Sequence, residues 1–273
     1  MRRVVVTGMG IVSCLGNDLD AVERALREAR CGIRRAPEYL DAGLRSRVAG
    51  LPDIAGEPPV PRKWRRFMGD AALYAFHAMR RAAGDAGFAP AQLSHPRVGL
   101  IAGSGVGSLY EFTAALDKLR AAGIAKTPPY AVPRVMGNTV SACLAAAFGI
   151  QGACYSIASA CATSAHCIGH AADLIRLGRQ DVVFAGGAEE ARWTSAALFD
   201  AMGALSAAGD DVTASRPFDA ARDGFVLAGG AGILALEEFG HARRRGARIY
   251  GELAGHGACG DGLDMVTPSP EGA

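Results

Sequence analysis

The residues best suited to covalent chemistry lie together at 155–167, which reads Tyr-Ser-Ile-Ala-Ser-Ala-Cys-Ala-Thr-Ser-Ala-His-Cys. Small residues before Cys161 permit a sharp turn from a strand into a helix, and such a turn presents the residue at its apex. A thiol at a helix N-terminus faces unpaired amide donors and the positive end of the helix dipole, which favour a reactive thiolate. The same amides could hold the oxyanion of a thioester under attack. The pattern favours Cys161 as a nucleophile, although simple packing between helix and sheet is an equally open interpretation.

No catalytic base for Cys161 can be named from the sequence. A nucleophile needs a group that takes or relays its proton. His166 and His170 lie on the same predicted helix, but helical periodicity points both side chains away from Cys161. The remaining histidines have no flanking pattern typical of catalysis and are expected to be surface or structural residues: His77, His95, His241 and His256.

The elements that must position this stretch follow an α/β pattern. Short β-branched runs alternate with helical patterns, which predicts a parallel sheet buried on both faces. Asp18 is expected to cap the first helix, and Gly32 and Gly178 to follow the first and fifth. The proline-rich segment 36–62 is predicted to be an irregular surface excursion. Strands are predicted at 3–7, 97–102, 153–159, 181–186 and 230–237, and helices at 18–30, 64–86, 107–122, 134–148, 161–178 and 237–246.

Composition narrows the class of protein. Half of the 273 residues are hydrophobic, which is enough for a substantial core, and the net charge of +2 gives no global attraction to nucleic acid. Apolar runs are too short for a membrane span, and the start does not resemble a signal peptide. Seven cysteines in no zinc-binding pattern indicate reduced thiols in a cytoplasmic protein without a metal.

The stretch Ser159–His166 resembles the active-site signature of the β-ketoacyl synthases, the condensing enzymes of fatty-acid synthesis. Its Ala-Thr-Ser-Ala-His ending resembles type I synthases more than type II. Further stretches similar to the same family occur in its order: 6–13, 103–105, 140–144, 185–189, 199–206 and 216–225.

This resemblance implies a thiolase-like fold, a layered α/β/α arrangement with a mostly parallel sheet and two similar halves, usually assembled as a homodimer. Residues 1–246 would form an essentially complete N-terminal half with the nucleophile, and 247–273 the start of a truncated second half. In this family two histidines, a lysine and a second oxyanion donor come from the second half. The isolated chain is therefore expected not to catalyse condensation.

The resemblance also implies a reaction and a partner. Cys161 would accept an acyl chain from the phosphopantetheine arm of acyl carrier protein, with its backbone amide as an oxyanion donor. Malonyl-acyl carrier protein would then decarboxylate, and its carbanion would attack the acyl thioester. No metal or dissociable cofactor is needed.

Pocket and docking residues follow from the same resemblance. Val106 and Phe199 are expected in the acyl pocket, although Phe199 could equally be a core aromatic residue. Lys63 and Arg66 match positions that dock the acidic carrier protein, and a solvated helix face is the alternative. Arg45 and Lys126 are weaker docking candidates.

Three other functions remain open. A nucleotide-binding dehydrogenase would use the segment 4–10 as a strand entering a glycine loop, but Ser13 stands where the third glycine belongs and no Tyr-x-x-x-Lys pair exists. A non-catalytic carrier-binding or dimerisation fragment is the second, and retention of Cys161 argues against it. The third is a thiolase or polyketide-type condensing enzyme with the same nucleophile.

Overall fold

Two sheets and eleven α-helices make up the described part of the chain, residues 1–209, 213–267 and 269 of a computed structural model. The strands are β1 (Val4–Val12), β2 (Ile33–Arg35), β3 (Val48–Gly50), β4 (Val98–Gly103), β5 (Cys154–Tyr155), β6 (Val182–Glu189), β7 (Gly230–Glu238) and β8 (Gly251–Glu252). The helices are α1 (Leu19–Arg27), α2 (Pro37–Asp41), α3 (Arg62–Arg65), α4 (Asp70–Asp85), α5 (Pro90–Leu93), α6 (Leu109–Ala122), α7 (Ala131–Val135), α8 (Thr139–Phe148), α9 (Thr163–Arg176), α10 (Trp193–Ala201) and α11 (Phe239–Arg244), with a 3₁₀ helix at Ile124–Lys126.

The large sheet has the strand order β5-β4-β6-β7-β1-β8 and is mixed. β4 pairs in parallel with β5 and β6, whereas β7 runs antiparallel to both β6 and β1. Four of the six strands therefore point the same way, which confirms a mostly parallel sheet, and β7 and β8 run in the opposite direction. The register shows why β7 is antiparallel to β6: Gly230 at the start of β7 pairs with Glu189 at the end of β6. The chain between them stays at that end of the sheet.

Helices cover both faces of the sheet, as predicted. α4 packs against β1, β6 and β7 on one face, and α9 packs against β4, β6 and β7 on the other. Small residues allow α4 to approach β1 closely, since a Cβ atom built on Gly10 would lie 1.9 Å from the Ala78 carbonyl oxygen. Gly8 and Gly10 lie in the middle of β1 against α4 and the residue after it. They are therefore not part of a glycine loop between a strand and a helix, where a dinucleotide would bind.

Several element boundaries differ from the predictions. The predicted strand 153–159 shortens to β5, and the predicted helix 64–86 divides into α3 and α4. Segment 36–62 is only partly irregular, because it contains α2 and β3, and β3 pairs with β2. α10 was not predicted at all.

The predicted helix ends can be checked individually. Asp18 caps α1 by accepting a hydrogen bond from the Ala21 amide at 2.7 Å. Gly178 follows α9 with a φ of +71°, as expected. The prediction for Gly32 is wrong, because α1 ends at Arg27 and Ala29 takes the left-handed conformation.

The chain after α11 continues along the sheet. β8 pairs with β1, with Val5 opposite Glu252. A division into halves at 246/247 stays a prediction. No helix in the described part of the chain is long and apolar enough to cross a bilayer.

Candidate functional site

Cys161 lies exposed in the turn that leads into α9. The preceding residue, Ala160, has a φ of +49°, in the left-handed region that non-glycine residues rarely occupy. This conformation reverses the chain between the segment after β5 and the helix. The predicted strand-to-helix turn with Cys161 at its apex is therefore present, although α9 begins two residues later, at Thr163.

Two paired glycines let the start of α9 sit directly on the ends of β4 and β6. Gly103 and Gly187 lie opposite each other in the parallel ladder. A Cβ atom at Gly103 would lie 2.7 Å from Thr163 Cγ2, and one at Gly187 would lie 2.9 Å from Ser164 Cβ. Larger residues there would push the helix, and Cys161 with it, away from the sheet.

The turn is held by its own hydrogen bonds. The Ser159 amide donates to Thr163 Oγ1 at 2.9 Å, and the Ala162 amide donates to the Ser159 carbonyl oxygen at 3.0 Å. His166 Nδ1 lies 2.6 Å from Ser159 Oγ. His166 thus stabilises the turn through Ser159, in agreement with the helical geometry that points its side chain away from Cys161.

His170 has a separate role on the same helix. Its Nε2 atom lies 2.7 Å from the Tyr155 hydroxyl, so it ties α9 to the β5 edge of the sheet. Neither helix histidine is positioned as a base for the thiol.

A cavity of about 540 Å³ opens beside Cys161. Both predicted pocket residues, Val106 and Phe199, line it. Phe199 packs edge-on against Phe225 with ring centroids 5.3 Å apart, so one aromatic pair forms part of the wall. Most of the lining is apolar or glycine, and neither histidine nor lysine is found among the described residues that line it. Such a cavity suits an aliphatic chain.

Two glutamates that the sequence analysis did not single out, the half-buried Glu189 and the buried Glu190, hold the loop at the cavity rim. Glu189 accepts hydrogen bonds from Ser104 Oγ and from the Gly105 amide at 2.7 Å. Burial raises the pKa of Glu189, and the Ser104 hydrogen bond opposes that rise. The sequence signal that could have identified them is the pair of consecutive acidic residues at the end of an apolar strand.

Glu190 anchors the next part of the same loop. It accepts from Ser108 Oγ at 2.7 Å and from the Tyr110 amide at 3.1 Å. Burial raises the pKa of Glu190 as well. Together the two acids fix the loop 104–110, and with it the position of Val106.

The predicted docking residues lie on the exposed surface, but only two of them share an element. Lys63 and Arg66 stand on α3 and directly after it. The Arg66 guanidinium lies over the Phe67 and Tyr130 rings at 4.8 and 5.0 Å. Arg45 pairs with Asp200 at 3.3 Å, and Lys126 ends the 3₁₀ helix.

No group of three or more metal-ligating side chains occurs among the residues that the structure describes. A function without metal or dissociable cofactor stays a prediction.

Comparison with known proteins decides the family. Residues 1–242 match the family "Beta-ketoacyl synthase, N-terminal domain". The chain belongs to the β-ketoacyl synthase family. This membership excludes the dehydrogenase alternative.

Relatives in this family carry a specific name. The chain is 52% identical to 3-oxoacyl-[acyl-carrier-protein] synthase 1 of Escherichia coli K12 and 51% identical to that of Haemophilus influenzae. In both comparisons the match covers all of this chain and 68% of the relative.

Solved structures agree with the predicted thiolase-like α/β fold. A β-ketoacyl synthase from Burkholderia phymatum superposes with a TM-score of 0.92 at 37% identity, covering 99% of this chain and 67% of that one. A type II polyketide ketosynthase in complex with its acyl-carrier protein superposes with a TM-score of 0.81 at 28% identity, covering 93% and 62%.

Proposed function

We propose that this protein is a β-ketoacyl-acyl-carrier-protein synthase of fatty-acid biosynthesis, an acyltransferase with Cys161 as its acyl acceptor. The observation that carries the proposal is the exposed Cys161 thiol at a strained turn beside a largely apolar cavity. The two relatives named as 3-oxoacyl-[acyl-carrier-protein] synthase 1 support this substrate class. Their identity of about one half favours it over a polyketide-type reaction, whose ketosynthase in the comparison is 28% identical.

The first half-reaction uses groups that are present here. The Cys161 sulfur attacks the thioester carbonyl of an acyl-phosphopantetheine, and the carbonyl oxygen becomes an oxyanion. The Cys161 amide, in the turn before α9, is the proposed hydrogen-bond donor for that oxyanion. Collapse of the intermediate expels the phosphopantetheine thiol and leaves the acyl chain on Cys161. The chain then lies in the cavity between Val106 and Phe199.

The second half-reaction makes the carbon–carbon bond. Malonyl-acyl carrier protein loses CO₂, and the resulting carbanion attacks the acyl-Cys161 carbonyl, with the Cys161 thiolate as leaving group. A carbanion of this kind needs hydrogen-bond donors or positive charge nearby. Among the described residues, no lysine, arginine or histidine lines this cavity, and its carboxyl groups, Glu189 and Glu190, supply no positive charge. Acylation without condensation is therefore proposed for the 273-residue chain.

One experiment tests the proposals for both half-reactions. The purified chain is incubated with acyl-acyl carrier protein, and its intact mass is compared with that of Cys161→Ala. We expect a gain of one acyl group that the variant lacks. Addition of malonyl-acyl carrier protein is expected to yield no β-ketoacyl product. A folded protein that gains no acyl group would overturn the acceptor role of Cys161, and condensation at an enzymatic rate would overturn the second proposal.

Acyl carrier protein is the proposed partner, and the α3 surface its docking site. A carrier protein is acidic, so exposed cations next to the cavity would steer it. The Arg134 guanidinium donates to the Arg66 carbonyl oxygen at 3.0 Å, which links α3 to α7. The carbonyl oxygen of Val135 in α7 would lie 3.4 Å from a Cβ atom built on Gly107 in the rim loop. Arg45 and Lys126 are proposed as secondary contacts.

A homodimer is the proposed assembly, in the cytoplasm. Exposed apolar side chains concentrate on the segment from α6 to α7, which is unusual for a surface left to water. They are Phe112, Leu119, Ile124, Tyr130 and Val132. A second copy of the chain would cover them.

A further inference from the structure

Two cysteines lie close together outside the candidate site. Cys14 sits in a tight turn in which the Ser13 amide donates to the Gly16 carbonyl oxygen at 2.9 Å, and Cys31 lies between α1 and β2. A Cβ atom built on Gly32 would lie 2.8 Å from the Cys14 sulfur. Because adjacent Cα atoms are about 3.8 Å apart, the Cys14 sulfur lies close to the backbone segment that carries Cys31.

The pKa of Cys14 also indicates that Cys31 is near it. Burial raises the pKa of the half-buried Cys14 thiol, negative charge on Cys31 raises it further, and Arg34 opposes the rise. Cys31 is exposed, so a small oxidant reaches it from solvent. A cleft of about 230 Å³, lined in part by Cys14, Gly32 and Arg34, gives access to the second sulfur.

We propose that Cys14 and Cys31 form a reversible disulfide when the protein meets a hydroperoxide. The Cys31 thiolate attacks the peroxide oxygen, the O–O bond breaks, and Cys31 becomes a sulfenic acid while an alcohol or water leaves. The Cys14 sulfur then attacks the sulfenic sulfur, the S–S bond forms, and the hydroxyl group leaves as water. Each turnover oxidises two thiols and reduces one hydroperoxide, and a dithiol reductant reverses it.

The other cysteines differ from this pair in position. Cys143 and Cys167 are buried, and Cys154 packs against the core. Cys161 belongs to the candidate site, and Cys259 is exposed in the chain after β8.

The disulfide would lie against the wall of the candidate cavity. Ser13 lines both the small cleft and the cavity. A Cβ atom on Gly50 would lie 3.1 Å from the Cys14 sulfur and 2.7 Å from the Cβ atom of Ala228, which also lines the cavity. Oxidation would therefore tie the turn after β1 to the start of β2 at the edge of that wall.

The test is non-reducing peptide mapping of the full chain. The protein and its Cys161→Ala variant are treated with hydrogen peroxide, remaining thiols are alkylated, and linked peptides are identified by mass spectrometry. We expect one peptide pair joined through Cys14 and Cys31, lighter by two hydrogen atoms and separated again by dithiothreitol. Cys259→Ser, a matched exposed cysteine, should leave the pair intact.

Single variants test the order of the steps. In Cys14→Ser, Cys31 should stop at the sulfenic acid and give a several-fold larger dimedone adduct than in the parent protein. In Cys31→Ser, Cys14 should give little adduct. Conversion of Cys31 to sulfinic acid without a linked peptide, or its linkage to Cys259 or to a second chain, would overturn the proposal. The mapping of the parent protein decides this even if a variant folds poorly.

Discussion

At the scale of single residues, Cys161 depends on the backbone of its neighbour. Ala160 holds a φ of +49°, a conformation that costs an L-residue with a Cβ atom about 1 kcal/mol. Contacts of Ser159 with Thr163 and His166 maintain it. The strain is the local condition for presenting the thiol at the apex of the turn.

Replacing Ala160 tests that dependence. Ala160→Val adds a β-branched side chain that tolerates the left-handed region poorly. We therefore expect the rate of acyl transfer to Cys161 to fall at least tenfold, and each factor of ten corresponds to about 1.4 kcal/mol. Ala160→Gly should retain acylation, because glycine adopts this φ without strain. The measurement is the rate of mass gain with acyl-acyl carrier protein. Equal rates for valine and alanine at this position would show that the turn does not control the nucleophile.

The wall residue Phe199 is expected to set chain length. Phe199→Ala removes a ring that packs on Phe225 and enlarges the cavity that it lines, so the ratio of acylation rates for long against short acyl chains should rise by about tenfold. Phe218→Ala, which removes a ring that is 99% exposed and does not line the cavity, is the control. An unchanged ratio in Phe199→Ala would assign this residue to the core alone.

At the scale of elements, α3 is the test case for partner docking. Reversing both Lys63 and Arg66 to Glu should weaken binding of acyl carrier protein by roughly tenfold and reduce its dependence on salt. The matched control is Arg243→Glu with Arg244→Glu, which makes the same charge change on α11. Affinity can be followed by calorimetry at two ionic strengths. Equal losses of affinity in the two double variants would indicate that binding depends on the net charge of the protein and not on a docking site at α3.

Neighbouring strands are joined at their starts by one carboxylate. Asp181 precedes β6 and accepts from Arg97 at 2.6 and 2.9 Å and from Arg2 at 2.9 Å. Hydrogen bonding to Arg97 lowers the pKa of Asp181, and burial opposes that effect. Since the folded-state pKa is lower than the unfolded one, this stabilisation is fully present above the unfolded pKa of about 4. It is lost as the pH falls through the folded pKa.

Asp181→Asn should therefore destabilise the protein by about 1 kcal/mol near neutral pH. The difference from the parent protein should shrink progressively below about pH 4, where both carry a neutral side chain. Urea denaturation across this pH range measures it. A difference that stays constant into acid would mean that the charge on Asp181 contributes nothing.

At the scale of the whole molecule, the exposed apolar surface from α6 to α7 is the proposed contact with a second copy of the chain. Val132 is 71% exposed there, and Val132→Asp would place a charge in the proposed dimer contact. We expect it to raise the dimer dissociation constant by about tenfold or more. Leu177→Asp, at a residue 67% exposed at the end of α9, is the control, and sedimentation gives the readout. If the unsubstituted protein is a monomer in sedimentation, the homodimer proposal is wrong.

The sequence by itself determined the features that depend on local pattern. Apolar β-branched runs predicted β1, β4, β6 and β7, because strands buried on both faces leave a continuous signal. Small residues around Cys161 predicted its turn, and the same stretch carried the family resemblance. Only the tertiary structure decided what depends on distant residues meeting. The antiparallel direction of β7 follows from the end of the sheet at which the chain re-enters it. The hydrogen bond between Glu189 and Ser104 and the close approach of Cys14 to Gly32 join segments that share no local pattern. Such contacts form because packing of helices on the sheet brings separate segments together, and no short window of sequence contains that information.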